Sequence, residues 1–189
     1  MDIYASCPVL ENERYCIRMV QPSDVDDLWA VYRDKVALPY FNSDNCGGAN
    51  FYCAHREDVE NMIRYWLWEY TDNHCFVRFA VVDKAANRAV GTIEMFHRGA
   101  DGAFPECGLL RLDLGSEWEQ ADTIRSILQL VLPSFYQWFD CDCIATKAPL
   151  YAVEGLDALR VLGFERCPAW LTGHDGTRYY DYWTVKSNR

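Results

Sequence analysis

The sequence predicts an α/β (α+β) fold: one central, twisted sheet, mixed but mostly antiparallel, flanked by helices. Three observations carry that prediction. Apolar residues alternate with a period of two in several runs rich in β-branched and aromatic side chains, as in half-buried strands. In four other stretches they recur at the spacing of an amphipathic helix. Three of the strand-like runs follow one another with no helix between them, which makes a meander, and a meander is antiparallel.

Residues 15–20, YCIRMV, read as the first strand. Pro22, Ser23 and Asp26 open a helix through Val25, Leu28, Trp29 and Tyr32, because proline is tolerated in a first helical turn and acidic residues suit the positive helix end. FNSDNCGGANFY follows at 41–52, and its Asn, Asp and Gly residues favour turns. A second helix starts at the acidic REDVE and buries Val59, Met62, Ile63, Trp66 and Tyr70. FVRFAVVD at 76–83 and AVGTIEMF at 89–96, split by KAANR, form a hairpin, and CGLLRLDL at 107–114 completes the meander beyond a Gly/Asp/Pro loop. Ser116 with Glu119 makes a capping-box signature for a third helix lined by Ile124, Ile127, Leu128, Val131, Leu132 and Phe135, which Pro133 ends or bends. A strand at 141–147, a helix through Val153, Leu156, Leu159 and Leu162 closed by Gly163, and a terminal strand RYYDYWTV finish the chain.

With 189 residues, half of them hydrophobic, the chain reads as a single domain over 1–189. Its net charge of −10 repels phosphate backbones and anionic headgroups, so neither nucleic acid nor a membrane is expected as a partner. No apolar run approaches the roughly 20 residues needed to cross a bilayer. MDIYASCPVLENERY lacks the basic start and apolar stretch of a secretory signal, and a cytoplasmic location is expected. Nine cysteines include no CxxC pair, and the tight pair Cys141 and Cys143 has no nearby His, so no metal site is expected and the thiols read as reduced and mostly buried. Alternation in CDCIAT puts Cys141, Cys143 and Ala145 on one buried face.

The element order, together with GTIEMF, LRLDLGSEWE and ALRVLGFE at 158–165, resembles the GNAT superfamily of acetyl-CoA-dependent N-acyltransferases, nearest the branch that acetylates ribosomal-protein N-termini and small amines. The resemblance implies acetyl-CoA as co-substrate and a primary amine, on a small molecule or a peptide, as acceptor. It also implies that backbone groups of Leu112, Asp113 and Leu114 pair with the pantetheine arm and that the turn Gln120, Ala121, Asp122, Thr123 and Ile124 seats the diphosphate. A helix N-terminus suits that role through its unpaired amides and positive dipole end. The family's turn carries glycines, which let phosphate oxygens approach the backbone; here Gln120 and Asp122 stand in their places. The family's Asn-x-x-Ser falls on Ala152 and Gly155. A carboxylate about 5 Å from a phosphate opposes binding by several kcal/mol at an effective dielectric near 20, so Asp122 is expected to weaken the site.

Acyl transfer to an amine needs a base, a held carbonyl and an acid for the departing thiolate. Glu94 shares a strand face with Thr92 and Phe96 and is the candidate base or water-positioning group. The alternative pairs it with Arg78 or Arg111 on neighbouring strands. Tyr151 stands near the tyrosine acid that the resemblance implies, and His97 at the end of the Glu94 strand is a lesser proton-relay candidate. Direct attack in a ternary complex is expected rather than a covalent acyl-enzyme. Asn42, Asp44, Asn45 and Tyr52 are placed to orient a cationic acceptor, or else form Asx turns that satisfy their own loop. The aromatic terminal strand suggests a homodimer contact. The rival reading is a degenerate fold of this type that serves as a ligand-binding or interaction module.

Overall fold

The computed structural model describes residues 2–97, 104–105 and 107–187. In chain order the elements are β1 (Leu10–Glu11), β2 (Tyr15–Met19), α1 (Val25–Tyr32), α2 (Arg56–Trp68), β3 (Val77–Asp83), β4 (Arg88–His97), β5 (Cys107–Leu114), α3 (Ala121–Trp138), β6 (Cys143–Lys147), α4 (Val153–Val161), β7 (Glu165–Arg166), β8 (Leu171–Thr172), β9 (Arg178–Tyr179) and β10 (Tyr182–Lys186). Eight strands form one sheet in the order β1-β2-β3-β4-β5-β6-β10-β7, and β8 pairs with β9 alone. Every pairing is antiparallel except β5 with β6. Most of the expected loop between β4 and β5 lies outside the described residues.

Two-residue alternation divides the strand residues between the two faces of the sheet. Ile93 and Met95 of β4 face α3 and α4, together with Phe79, Leu110, Ile127 and Phe135. The opposite face is covered by α1 and α2 through Leu28, Tyr32, Val59, Ile63 and Trp66. That second face of β4 carries Thr92 and Glu94, both buried. The β3–β4 turn is held by the Asp83 carboxylate, which accepts from the amides of Ala85 and Ala86, with Asn87 left-handed at φ 50°. Gly91 is required where β4 crosses β5, since a Cβ there would run into the Asp113 carbonyl and the Leu114 side chain.

Four expectations are corrected. Ser116 does not cap the third helix: its amide donates to Asp34 (2.9 Å), a 3-10 turn spans Ser116–Trp118, and α3 starts at Ala121 after an extended Gln120. Pro133 does not end α3, which continues to Trp138 as Phe135 and Trp138 stack on Phe79; the carbonyl left without its helical donor belongs to the exposed Gln129. RYYDYWTV is two strands rather than one, broken at the left-handed Asp181, and β10 lies in the main sheet between β6 and β7. The thiols are not all reduced: Cys107 and Cys143 stand opposite each other on β5 and β6 and are joined by a disulfide. Cys143 and Ala145 pack with Leu109 and Tyr182, whereas Cys141 precedes the strand and packs on the α3 side.

Candidate active site

Strand register assembles a buried charge network on the face beneath α1 and α2. Arg78, Glu94 and Arg111 are direct cross-strand neighbours on β3, β4 and β5. Glu94, 2% exposed, accepts from Arg78 at 2.6 Å and lies 3.3 Å from Arg111. Arg78 also reaches Asp113 at 3.3 Å and Thr92 at 3.1 Å, and its guanidinium lies 4.6 Å from the Trp66 ring centre. Tyr32 closes the network, hydrogen-bonded to Thr92 (2.7 Å) and donating to Asp113 (3.3 Å). Burial opposes the charge on Arg78, but Glu94, Tyr32 and Asp113 more than offset it and hold the guanidinium protonated. Glu94 therefore has both arginines as partners. The Arg78 Nε remains buried without a hydrogen bond.

Above this floor lies a cavity of about 780 Å³, walled by Phe51, Met62, Tyr65, Trp66, Phe76 and Phe96 and reached by Arg78, Glu94 and Arg111. Its roof is the 41–52 loop. Asn42 is buried, its amide donating to Asp113 and its side chain accepting from the Asp44 amide (3.0 Å). Asp44 is also buried; its carbonyl accepts from Arg111 (2.7 Å), and its carboxylate meets Lys147 (2.5 Å) and the Tyr182 hydroxyl (3.1 Å). Asn45 lines the cavity and accepts from the His174 amide at 2.8 Å. Tyr52 is exposed, packs near Lys35 and is not among the cavity's lining residues. The loop thus makes Asx turns and is also fastened to the sheet.

On the other side, β5 and β6 pair only from Cys107↔Cys143 to Leu110↔Thr146 and then part. Between the parted strands is a slot of about 50 Å³, lined by Leu110, Leu112, Ile124, Lys147 and Ala152 among others. It continues past Tyr40 and Glu119 into an outer recess of about 240 Å³ beside Tyr151 and Glu154. Tyr151, 59% exposed, donates to the Pro39 carbonyl (2.7 Å) and fastens the 36–40 segment over the slot. Leu112 lines the slot, Leu114 is core, and the Asp113 side chain points to the arginine network instead. Burial, then the charges of Asp113 and Glu154, push the Glu119 carboxyl up to about 7.

The diphosphate end departs from the expected arrangement. The Ala121 amide, the first of α3, already donates to the Glu154 carboxylate of α4 at 2.8 Å. Asp122 points outward and pairs with Arg125 (2.6 Å), and Gln120 donates to the Glu117 carbonyl. Thr123 is buried, accepting from the Tyr15 hydroxyl, and Ile124 is core. The acidic groups Glu117, Glu119, Asp122 and Glu154 surround this helix start, and the nearby cations Arg88 and Arg125 are paired to two of them. These residues do not fit a diphosphate at α3.

Sequence reading missed Glu119 as more than a helix cap, and missed Lys147 and Glu154. Each acts across a long sequence separation, and only the unusual density of acid in SEWEQAD hinted at it. His97 contacts the Pro105 carbonyl at 3.3 Å. No group of three or more His, Cys, Asp or Glu able to hold a metal occurs among the described residues.

The chain has the fold of solved acetyltransferase structures. The chain matches the acetyltransferase (GNAT family) from Bacillus anthracis at a TM-score of 0.67 and 13% identity, covering 95% of this chain and 98% of that one. Ribosomal-protein-S5-alanine acetyltransferase from Vibrio fischeri matches at 0.67 and 16% identity, over 96% and 97%. RimL, the ribosomal L7/L12 alpha-N-protein acetyltransferase, in complex with coenzyme A, matches at 0.68 and 13% identity, over 95% and 98%. No protein-family profile matches the sequence, and no curated protein does. At these identities the likeness is one of fold. No helix among the described residues is long and apolar enough to cross a membrane.

Proposed function

We propose that this protein transfers an acyl group from a pantetheine thioester, acetyl-CoA in the first instance, to a primary amine. The observation that carries the reading is the parting of β5 and β6 beyond Leu110 and Thr146. Strand edges that part in mid-sheet leave peptide groups able to pair with an extended, amide-bearing arm, and the parting lies next to an aromatic cavity suited to the acceptor. A bound thioester supplies the activated carbonyl, and attack in a ternary complex needs no cysteine of this chain. Glu94, fixed between Arg78 and Arg111, sets the polarity of the cavity floor. Glu119, with a carboxyl that changes charge near neutral pH, is suited to take the amine's proton, and Tyr151 brings a phenol to the same recess.

Glu154 at the Ala121 amide favours a second reading, a binding module in which the cavity works without transfer. Calorimetry with acetyl-CoA and with acetyl-pantetheine separates the two, followed by a thiol-release screen over amines. Binding of both donors with comparable affinity, and thiol release with some amine, supports transfer through the arm. Absence of heat with either at millimolar concentration retires it.

A further inference from the structure

The Asp44 carboxylate, which the loop offers to a cationic amine, already holds one: the Nζ of Lys147, at 2.5 Å. Lys147 is the last residue of β6, at the lip where the strands part, and it lines the slot with Leu110, Leu112 and Thr146. Asp44 bonds through its carbonyl to Arg111, which lines the acceptor cavity. Lys147 thus lines the slot while its amine is linked through Asp44 to Arg111, which lines the cavity.

We propose that Lys147 is a self-acylation site, an inference that rests on the acyl-transfer reading above. Asp44 takes a proton from the ammonium, the Nζ electron pair forms a bond to the thioester carbonyl carbon, the carbon–sulfur bond breaks with its pair leaving on sulfur, the nitrogen's second proton passes to that sulfur, and Asp44 releases the first to solvent. Overall, ammonium and thioester give amide, thiol and one proton. The Tyr182 hydroxyl, donating to Asp44 at 3.1 Å, fixes the carboxylate during the step. Acylation removes the charge on Lys147 and leaves Asp44 open to the ammonium of an incoming acceptor, so the modification prepares the site for turnover.

The sequence has only three other lysines, Lys35, Lys84 and Lys186, all exposed, which serve as internal controls. The full chain is incubated with acetyl-CoA, and separately with acetyl-pantetheine, and each lysine is followed by peptide mass spectrometry. Lys147 is expected to gain acetyl at least about tenfold faster than the controls, since a held amine beside a held carbonyl reacts at a high effective concentration. Lys147→Arg keeps the ion pair and loses the mark, leaving the other three sites unchanged. Equal rates at all four lysines, or an unmarked Lys147 while calorimetry shows donor bound, overturns this proposal alone. No bound donor and no mark overturns both it and the transfer reading.

Discussion

Replacing Glu119 by glutamine isolates the electrostatics of the slot. In the unfolded chain its carboxyl titrates near the ordinary 4.5; folded, burial and the neighbouring Asp113 and Glu154 push it up to about 7. Below the lower value both states are protonated and the folded state keeps its full stability. Between the two values the unfolded chain releases a proton that the folded protein retains, so stability falls as pH rises and levels off above the folded value. At 1.36 kcal/mol for each pH step between the two values, the loss approaches about 3 kcal/mol, and the partial exposure of Glu119 trims it to about 2 kcal/mol. Glutamine carries no such charge, so Glu119→Gln is expected to be about 2 kcal/mol more stable relative to wild type at pH 8 than at pH 4.5. Urea unfolding of both proteins across this range measures the difference directly, because carboxylates held low elsewhere, such as Asp83, contribute equally to each. Parallel pH profiles would refute the reasoning. In a transfer assay the wild-type rate should rise through an apparent value near 7, and the variant should lose that rise.

Three other outcomes are expected. Glu94→Gln leaves Arg78 and Arg111 short of a buried counter-charge and should cost about 3–5 kcal/mol, a fall of about 10 °C in Tm for a chain of this size by calorimetry; an unchanged Tm with a rate lowered tenfold would instead make Glu94 the base. Glu154→Gln weakens the cap on the Ala121 amide and removes a charge, so coenzyme A should bind about tenfold tighter, while Asp122→Gly should change little because Asp122 is 87% exposed and faces Arg125; calorimetry compares them. Gly91→Ala should destabilise by about 1–3 kcal/mol, since the Asp113 backbone cannot yield without disturbing β5; denaturant unfolding reads it.

The architecture was legible where a local pattern settles it. Alternation in GTIEMF placed Ile93 and Met95 on one face and Thr92 and Glu94 on the other, and the Arg78 or Arg111 partner for Glu94 followed from neighbouring strands of equal phase; the register brings both. Helix boundaries were less legible, because Ser116 gives its amide to Asp34, 82 positions earlier. The site was least legible. Asp44 and Lys147 are 103 residues apart and Ala121 and Glu154 are 33 apart, and no periodicity reports contacts made by loops and helix ends. Pro133 illustrates the same limit, since aromatic stacking overrode a local helix-breaking preference.

The Cys107–Cys143 bond fastens β5 to β6 at the end where they still run side by side. Like the rivet of a pair of shears, it holds the two strands at their root, while β4 and β10 grip their outer edges along the full length, so the gap between the far ends is an opening built into the sheet.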